Sequence, residues 1–186
     1  MASFRVSDTG NLHKWCFCPK GSAFLWVAPE LQATAQAPVI SHEWKAGFQD
    51  RFIMQGTLDD TAFLAAPAAL RFVQMMGGFD SIYRHNHGLI CWAAAMLAKR
   101  WGTELLVPTA RCSTMACIKL PDDAVPATGY GEMMGVFWDR FRIVAPVVGC
   151  PGVEGGFVRI SAQIYNEKED YNRLAEAVLE LQREAF

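Results

Sequence analysis

The chain has 186 residues, 52% of them hydrophobic and 19% charged, with a formal net charge of -2. That length and apolar content exclude a disordered segment and suit one domain or parts of two. The near-neutral charge gives no electrostatic basis for nucleic acid or anionic membrane as partner. The apolar stretch around Ala93–Ala98 ends at Lys99-Arg100, short of a membrane span, and Met1 to Arg5 lack the apolar core of a secretory signal.

In chain order, residues 1–10 read as mixed and turn-like. The continuous apolar run Ala23-Phe24-Leu25-Trp26-Val27 predicts a strand buried on both faces. Asp59-Asp60 offers a cap for a helix starting near Thr61. Pro67 inside that pattern predicts a kink or two abutting helices, and Gly77-Gly78 ends it. A long helix is predicted over 80–101, with Ile82, Leu89, Trp92, Ala93, Met96 and Leu97 near helical spacing and Gly102 just past its end.

Beyond Gly102 the pattern predicts a strand over 115–120, a short helix over 129–138, and strands over 141–147 and 157–164. Asn166 with Glu169 has capping-box spacing and opens a last helix, with Tyr171, Leu174, Ala175, Val178, Leu181 and Ala185 on one face. This order describes an α+β layer of a few strands covered by helices on one face. The expected internal boundary lies at 102–108, and the part from Gly102 to Phe186 is expected to fold by itself. Cys16, Cys18, Cys91, Cys112, Cys117 and Cys150 lie in apolar surroundings and read as reduced thiols of a cytosolic protein. Cys16-x-Cys18 is too short a spacing for a zinc pair and has no second pair, so no metal is expected.

Three segments could carry chemistry. In Gly10-Asn11-Leu12-His13-Lys14-Trp15, followed by Pro19-Lys20-Gly21, a lysine sits in a tight turn before an apolar strand. It is either a solvated turn lysine or an amine held for a cofactor, and His13 is either satisfied by backbone groups or a ligand contact. In Gln55-Gly56-Thr57-Leu58-Asp59 a glycine allows close approach of an anion and a threonine adds a hydroxyl ahead of a helix start; a simple cap has the same pattern. In Arg159-Ile160-Ser161-Ala162-Gln163-Ile164-Tyr165-Asn166, strand alternation sets Val158, Ile160, Ala162 and Ile164 against Arg159, Ser161 and Gln163. An arginine on the non-core face either is solvated or forks onto a carboxylate. His85-x-His87 reads as a polar helix face, since i and i+2 diverge.

These segments together resemble the class V aminotransferase-type pyridoxal phosphate (PLP) enzymes, in the isopenicillin N epimerase-like and cysteine desulfhydrase-like branch. The resemblance runs from about Asp8 onward. It implies fold-type I, with the end of a large α/β domain over 1–78, a long interdomain helix over 79–101, and a small C-terminal α+β domain over 102–186. It implies PLP as cofactor, Lys14 as its Schiff-base lysine and α-proton base, and Asn11 and His13 beside it. It further implies Gly56 and Thr57 at the cofactor phosphate, across a homodimer interface, and Arg159 on the α-carboxylate of an amino-acid substrate.

The reaction class implied is epimerisation or C–S lysis at the α-carbon. Only thirteen residues precede Lys14, so the family's glycine-rich turn, ring-stacking residue and ring-nitrogen aspartate are expected to lie outside this chain. The alternatives are a truncated non-catalytic product or a small-domain interaction module, or one half of a split enzyme. The strand after the lysine, without upstream strands, is expected to leave an unpaired edge and an uncovered apolar surface.

Overall fold

The first described segment pairs with the strand it was expected to leave alone. A computed structural model describes residues 7–125 and 129–184 and divides the chain into two units, Met1–Gly78 and Phe79–Phe186. In the first, strand β1 (Ser7–Asn11) runs antiparallel to β2 (Ala23–Val27), from Ser7 opposite Val27 to Asn11 opposite Ala23. The turn-like reading of residues 7–10 is therefore corrected. Ser, Asp, Thr and Gly have weak strand preference, but pairing along β2 decides their conformation.

A single helical turn, α1 (Leu12–Trp15), begins the connection between them. Burial of β2 on both faces is likewise corrected. Phe24, Leu25 and Trp26 are 48, 45 and 46% exposed, and only Val27 is buried. Among the described residues the ribbon has two strands and no third, which leaves its outer edges unpaired.

After α2 (Asp50–Ile53) come α3 (Thr61–Leu64) and α4 (Ala66–Met75), two abutting helices as Pro67 predicts. Proline lacks the N–H that would continue α3 but is tolerated in the first turn of α4. Asp59, not Asp60, does the capping: its Oδ1 accepts the Thr61 N–H at 2.9 Å. Ala69 and Val73, one turn apart, form the buried stripe of α4. Phe72 meets Phe17 edge-on at 5.0 Å, and the Cys18 thiol donates to the Ala62 carbonyl, fastening the lysine segment to these helices. Gly77 and Gly78 have φ of +89° and +81°, the left-handed region that stops α4.

The second unit is built on α5 (Gly78–Trp101), whose buried residues Ile82, Asn86, Leu89, Ile90, Ala93 and Leu97 recur every three or four positions. It stops at Gly102, φ +66°, as expected. Strands β3 (Met115–Lys119), β4 (Val147–Cys150) and β5 (Val153–Ser161) form an antiparallel sheet in the order β3-β5-β4. Helices α6 (Met133–Phe141) and α7 (Lys168–Glu184) complete the unit. Its core joins Ile90, Ala93 and Leu97 of α5 to Ile118, Val158, Phe137 and Leu174. A module starting at Gly102 would lose the α5 side of that core. Among the described residues no single helix is long and apolar enough to cross a membrane.

Three boundaries differ from expectation. Residues 141–147 are not a strand: α6 extends to Phe141, Arg142 caps it at φ +56°, and Val147 opens β4. Strand β5 spans 153–161 rather than 157–164. The Asn166–Glu169 box does not form. Instead the Asp170 carboxylate accepts the Glu167 N–H at 3.0 Å, while Asn166 Oδ1 accepts the Gln163 N–H. On α7, Tyr171, Leu174, Ala175 and Val178 are buried as predicted, Ala177 joins them, and Ala185 lies outside the described residues.

The Tyr171 hydroxyl donates to the Ser161 carbonyl at 2.9 Å, tying α7 to the end of β5. Burial, with smaller contributions from Asp170 and Tyr165, pushes its phenol up to about 12 from the usual 10. The unfolded chain releases this proton first, so folding loses stability as pH rises from 10 to 12. Alkaline difference absorbance should show one late tyrosinate step, removed in Tyr171→Phe. A Tyr171→Phe curve identical to that of the unsubstituted chain would refute the assignment.

Candidate active site

Lys14 stands on α1 directly after β1 and is exposed. The turn is fixed by its neighbours: Leu12 N–H donates to the Ser22 carbonyl at 3.1 Å and Cys16 N–H to the Leu12 carbonyl at 3.1 Å. Ser22 is fully buried and its hydroxyl donates to the Pro19 carbonyl. Among the described residues no hydrogen bond or ion pair engages the Lys14 amine. An amine held on a fixed backbone, with no partner among the described residues, fits an aldehyde cofactor.

His13 Nδ1 lies 2.8 Å from the Ser22 carbonyl oxygen, which only accepts, so Nδ1 carries the proton. The backbone-satisfied reading thus accounts for one ring nitrogen. Nε2 of the neutral ring remains an acceptor, and donating to a phosphate from it needs a second proton. Asn11 is exposed and makes no capping bond to α1.

Gly56 has φ +132°, and the space a Cβ would occupy holds no atom within 4 Å. Glycine is required there by conformation, not by crowding. Thr57 is exposed beside it. At the start of α3 Asp59 accepts the Thr61 N–H, and hydroxyl and amide bonds from Thr61 hold that carboxyl below its usual range. The lysine turn and this loop share one unit, connected through Cys18 and Ala62.

Arg159 belongs to the second unit, on the central strand β5, with Val158 and Ile160 buried and Arg159 and Ser161 exposed as alternation predicts. Among the described residues no carboxylate lies within ion-pair distance of its guanidinium. The register sets Cys117 of β3 directly opposite. Burial pushes the Cys117 thiol up, and the Arg159 guanidinium draws it partly back, leaving it above the usual range.

Alternation fails at Gln163, which is past the strand end and buried. Its Oε1 accepts from Asn86 Nδ2 at 3.1 Å and from the Ile164 N–H at 2.9 Å. Sequence reading missed this pair; the one signal was Asn86 in line with Ile82, Leu89 and Ile90 on the apolar stripe of α5. Of the two histidines on that helix, His85 is exposed while His87 stacks on Tyr83 and bonds the Ser113 carbonyl.

The chain is 35% identical over 191 residues to a probable chloroplastic L-cysteine desulfhydrase of Arabidopsis thaliana, covering 96% of this chain and 40% of that protein. It is 32% identical over 187 residues to an isopenicillin N epimerase of Streptomyces clavuligerus, covering 91% and 45%. The chain is a homologue of the cysteine desulfhydrases and isopenicillin N epimerases. It spans less than half the length of these relatives.

No family model matches this homologue. Its fold matches a cysteine desulfurase of Thermococcus onnurineus NA1 at TM-score 0.73 and 18% identity, over 96% of this chain and 47% of that one. An alanine–glyoxylate aminotransferase of Nostoc sp. matches at TM-score 0.68 and 13% identity, over 94% and 47%. The homologue therefore shares the fold of about half of each of these two chains.

Proposed function

We propose that this chain carries the lysine-bearing and carboxylate-binding portion of a PLP-dependent enzyme acting at the α-carbon of an amino acid, by C–S lysis or epimerisation. The observation that carries this reading is Lys14: an amine with no partner among the described residues, on a backbone fixed by its neighbours, in a chain homologous to desulfhydrases and epimerases. PLP would supply an aldehyde for that amine and a ring that accepts the electron pair left at the α-carbon. Lys14 would take and return the α-proton. Arg159 would hold the substrate carboxylate through its paired donors. Gly56 and Thr57 would meet the cofactor phosphate, with Asn11 and His13 beside the lysine.

The same reading assigns the exposed apolar side chains of the ribbon, Phe24 and Trp26 on one face and Leu25 on the other, to further protein: a second copy in a homodimer or a complementing N-terminal portion. Six free thiols suit a reducing compartment such as the cytoplasm. A domain division that counts 79–101 with the small domain follows from the α5 side of the core. The exposed ribbon is also what favours the second reading, a non-catalytic interaction module.

One equivalent of PLP, borohydride reduction and peptide mass spectrometry test the choice. The expected result is a visible absorption band and one added cofactor mass, on the peptide holding Lys14. No band and no fixed cofactor would leave the interaction module as the function of this chain.

A further inference from the structure

The surroundings of Arg159 are set by the sheet on which it stands. Phe157 and Ser161 flank it along β5, Cys117 faces it across β3, and its N–H donates to the Pro146 carbonyl on the β4 side at 2.9 Å. Met115 and Lys119 are the diagonal neighbours on β3. Directly opposed residues hold their Cβ atoms about 4.5–5.5 Å apart, so the Cys117 thiol stands beside the arginine stem. Ala116 and Ile118, at 4% and 0% exposure, take the core side, which leaves Cys117 on the side of Arg159.

Among those neighbours none is acidic, and Cys117 is a protonated thiol at neutral pH, since burial outweighs the arginine. A long side chain at 117 would lie over the guanidinium, and a carboxylate there would consume it as an internal ion pair.

We propose that Cys117 is a wall of the Arg159 subsite, its short uncharged side chain leaving the guanidinium open to the carboxylate of an amino acid. The proposal rests on the reading of Arg159 as the carboxylate-binding residue. It makes Cys117 a specificity-determining residue of that subsite, contacted by ligand and taking no part in proton transfer.

The test uses the full chain with L-alanine as probe. Iodoacetamide labelling is followed cysteine by cysteine by peptide mass spectrometry, and alanine affinity is measured by calorimetry. Alanine should slow labelling of Cys117 about threefold or more while leaving Cys91 unchanged, and Arg159→Gln should remove that protection. Cys117→Asp should weaken alanine binding about tenfold or more, by occupying the guanidinium. Labelling protection is read on the unsubstituted chain, so it stands even if Cys117→Asp folds poorly.

Binding of equal strength in Arg159→Gln, or no alanine binding at all, would overturn the reading of Arg159 and this proposal with it. Binding that requires Arg159, with Cys117 labelling unprotected and Cys117→Asp as tight as the unsubstituted chain, would overturn the proposal alone.

Discussion

Replacing Lys14 by alanine should abolish the borohydride-stable PLP adduct, and replacing Lys20 by alanine should leave it intact. The two amines are six positions apart and differ in their backbones. Lys14 rides on α1, whose ends are held by the bonds of Leu12 to Ser22 and of Cys16 to Leu12. Lys20 is exposed in the Pro19–Gly21 turn, next to a glycine at φ +101°. Lys14→Arg should fail as completely as alanine, because a guanidinium stays protonated and offers no nucleophilic nitrogen. The whole adduct is at stake, since no second lysine in that turn is fixed in the same way. A Lys14→Ala chain that still gains one cofactor mass at one equivalent of PLP would remove Lys14 from the mechanism.

Phe137→Ala should lower the stability of the second unit by about 3–5 kcal/mol, a large share of the ~5–15 kcal/mol typical of a folded domain. Phe137 and Met133 are one turn apart on α6, both at 0% exposure, and fill the same core as Leu97 and Ile118. Removing the ring takes away transfer energy and leaves a cavity bounded by rigid elements, which collapse only in part. The urea midpoint of the unit should fall with little change in slope. A loss under about 1 kcal/mol would mean that α6 does not hold the sheet in the way its burial indicates.

Punctuation residues made the helices legible. Pro67, Gly77 and Gly102 each act through one backbone torsion or one missing donor, and each marks a helix end in the structure. Strands were less legible because their conformation depends on partners far along the chain. Ser7 to Asn11 carry no strand pattern of their own and become one only opposite Ala23–Val27.

The same dependence misled the burial of β2: an apolar run says that a strand seeks cover, not that this chain provides it. The candidate site divided along similar lines. Lys14, Thr57 and Arg159 were singled out by resemblance to a family, and all three are exposed. Cys117 was passed over as one more core thiol, because only the register of β3 against β5 brings it beside Arg159. Asp59 on the Thr61 N–H was equally hidden, since two adjacent aspartates offer the same cap on paper.

The buried amide pair of Asn86 and Gln163 bears on how the sheet finds its alignment. Val158, Ile160 and Ala162 alternate with Arg159 and Ser161, so a slip of one position along β3 would send the arginine inward and the valine outward. Apolar packing opposes that slip but tolerates a slip of two, which restores the alternation. The amide does not tolerate it. Two positions off, Gln163 would keep its bond from the Ile164 N–H but no longer reach Asn86, whose buried amide N–H would lose its acceptor at a cost of about 1–3 kcal/mol. One polar contact between residues 77 apart thus acts as a vernier stop, excluding the shift that hydrophobic pattern alone would permit.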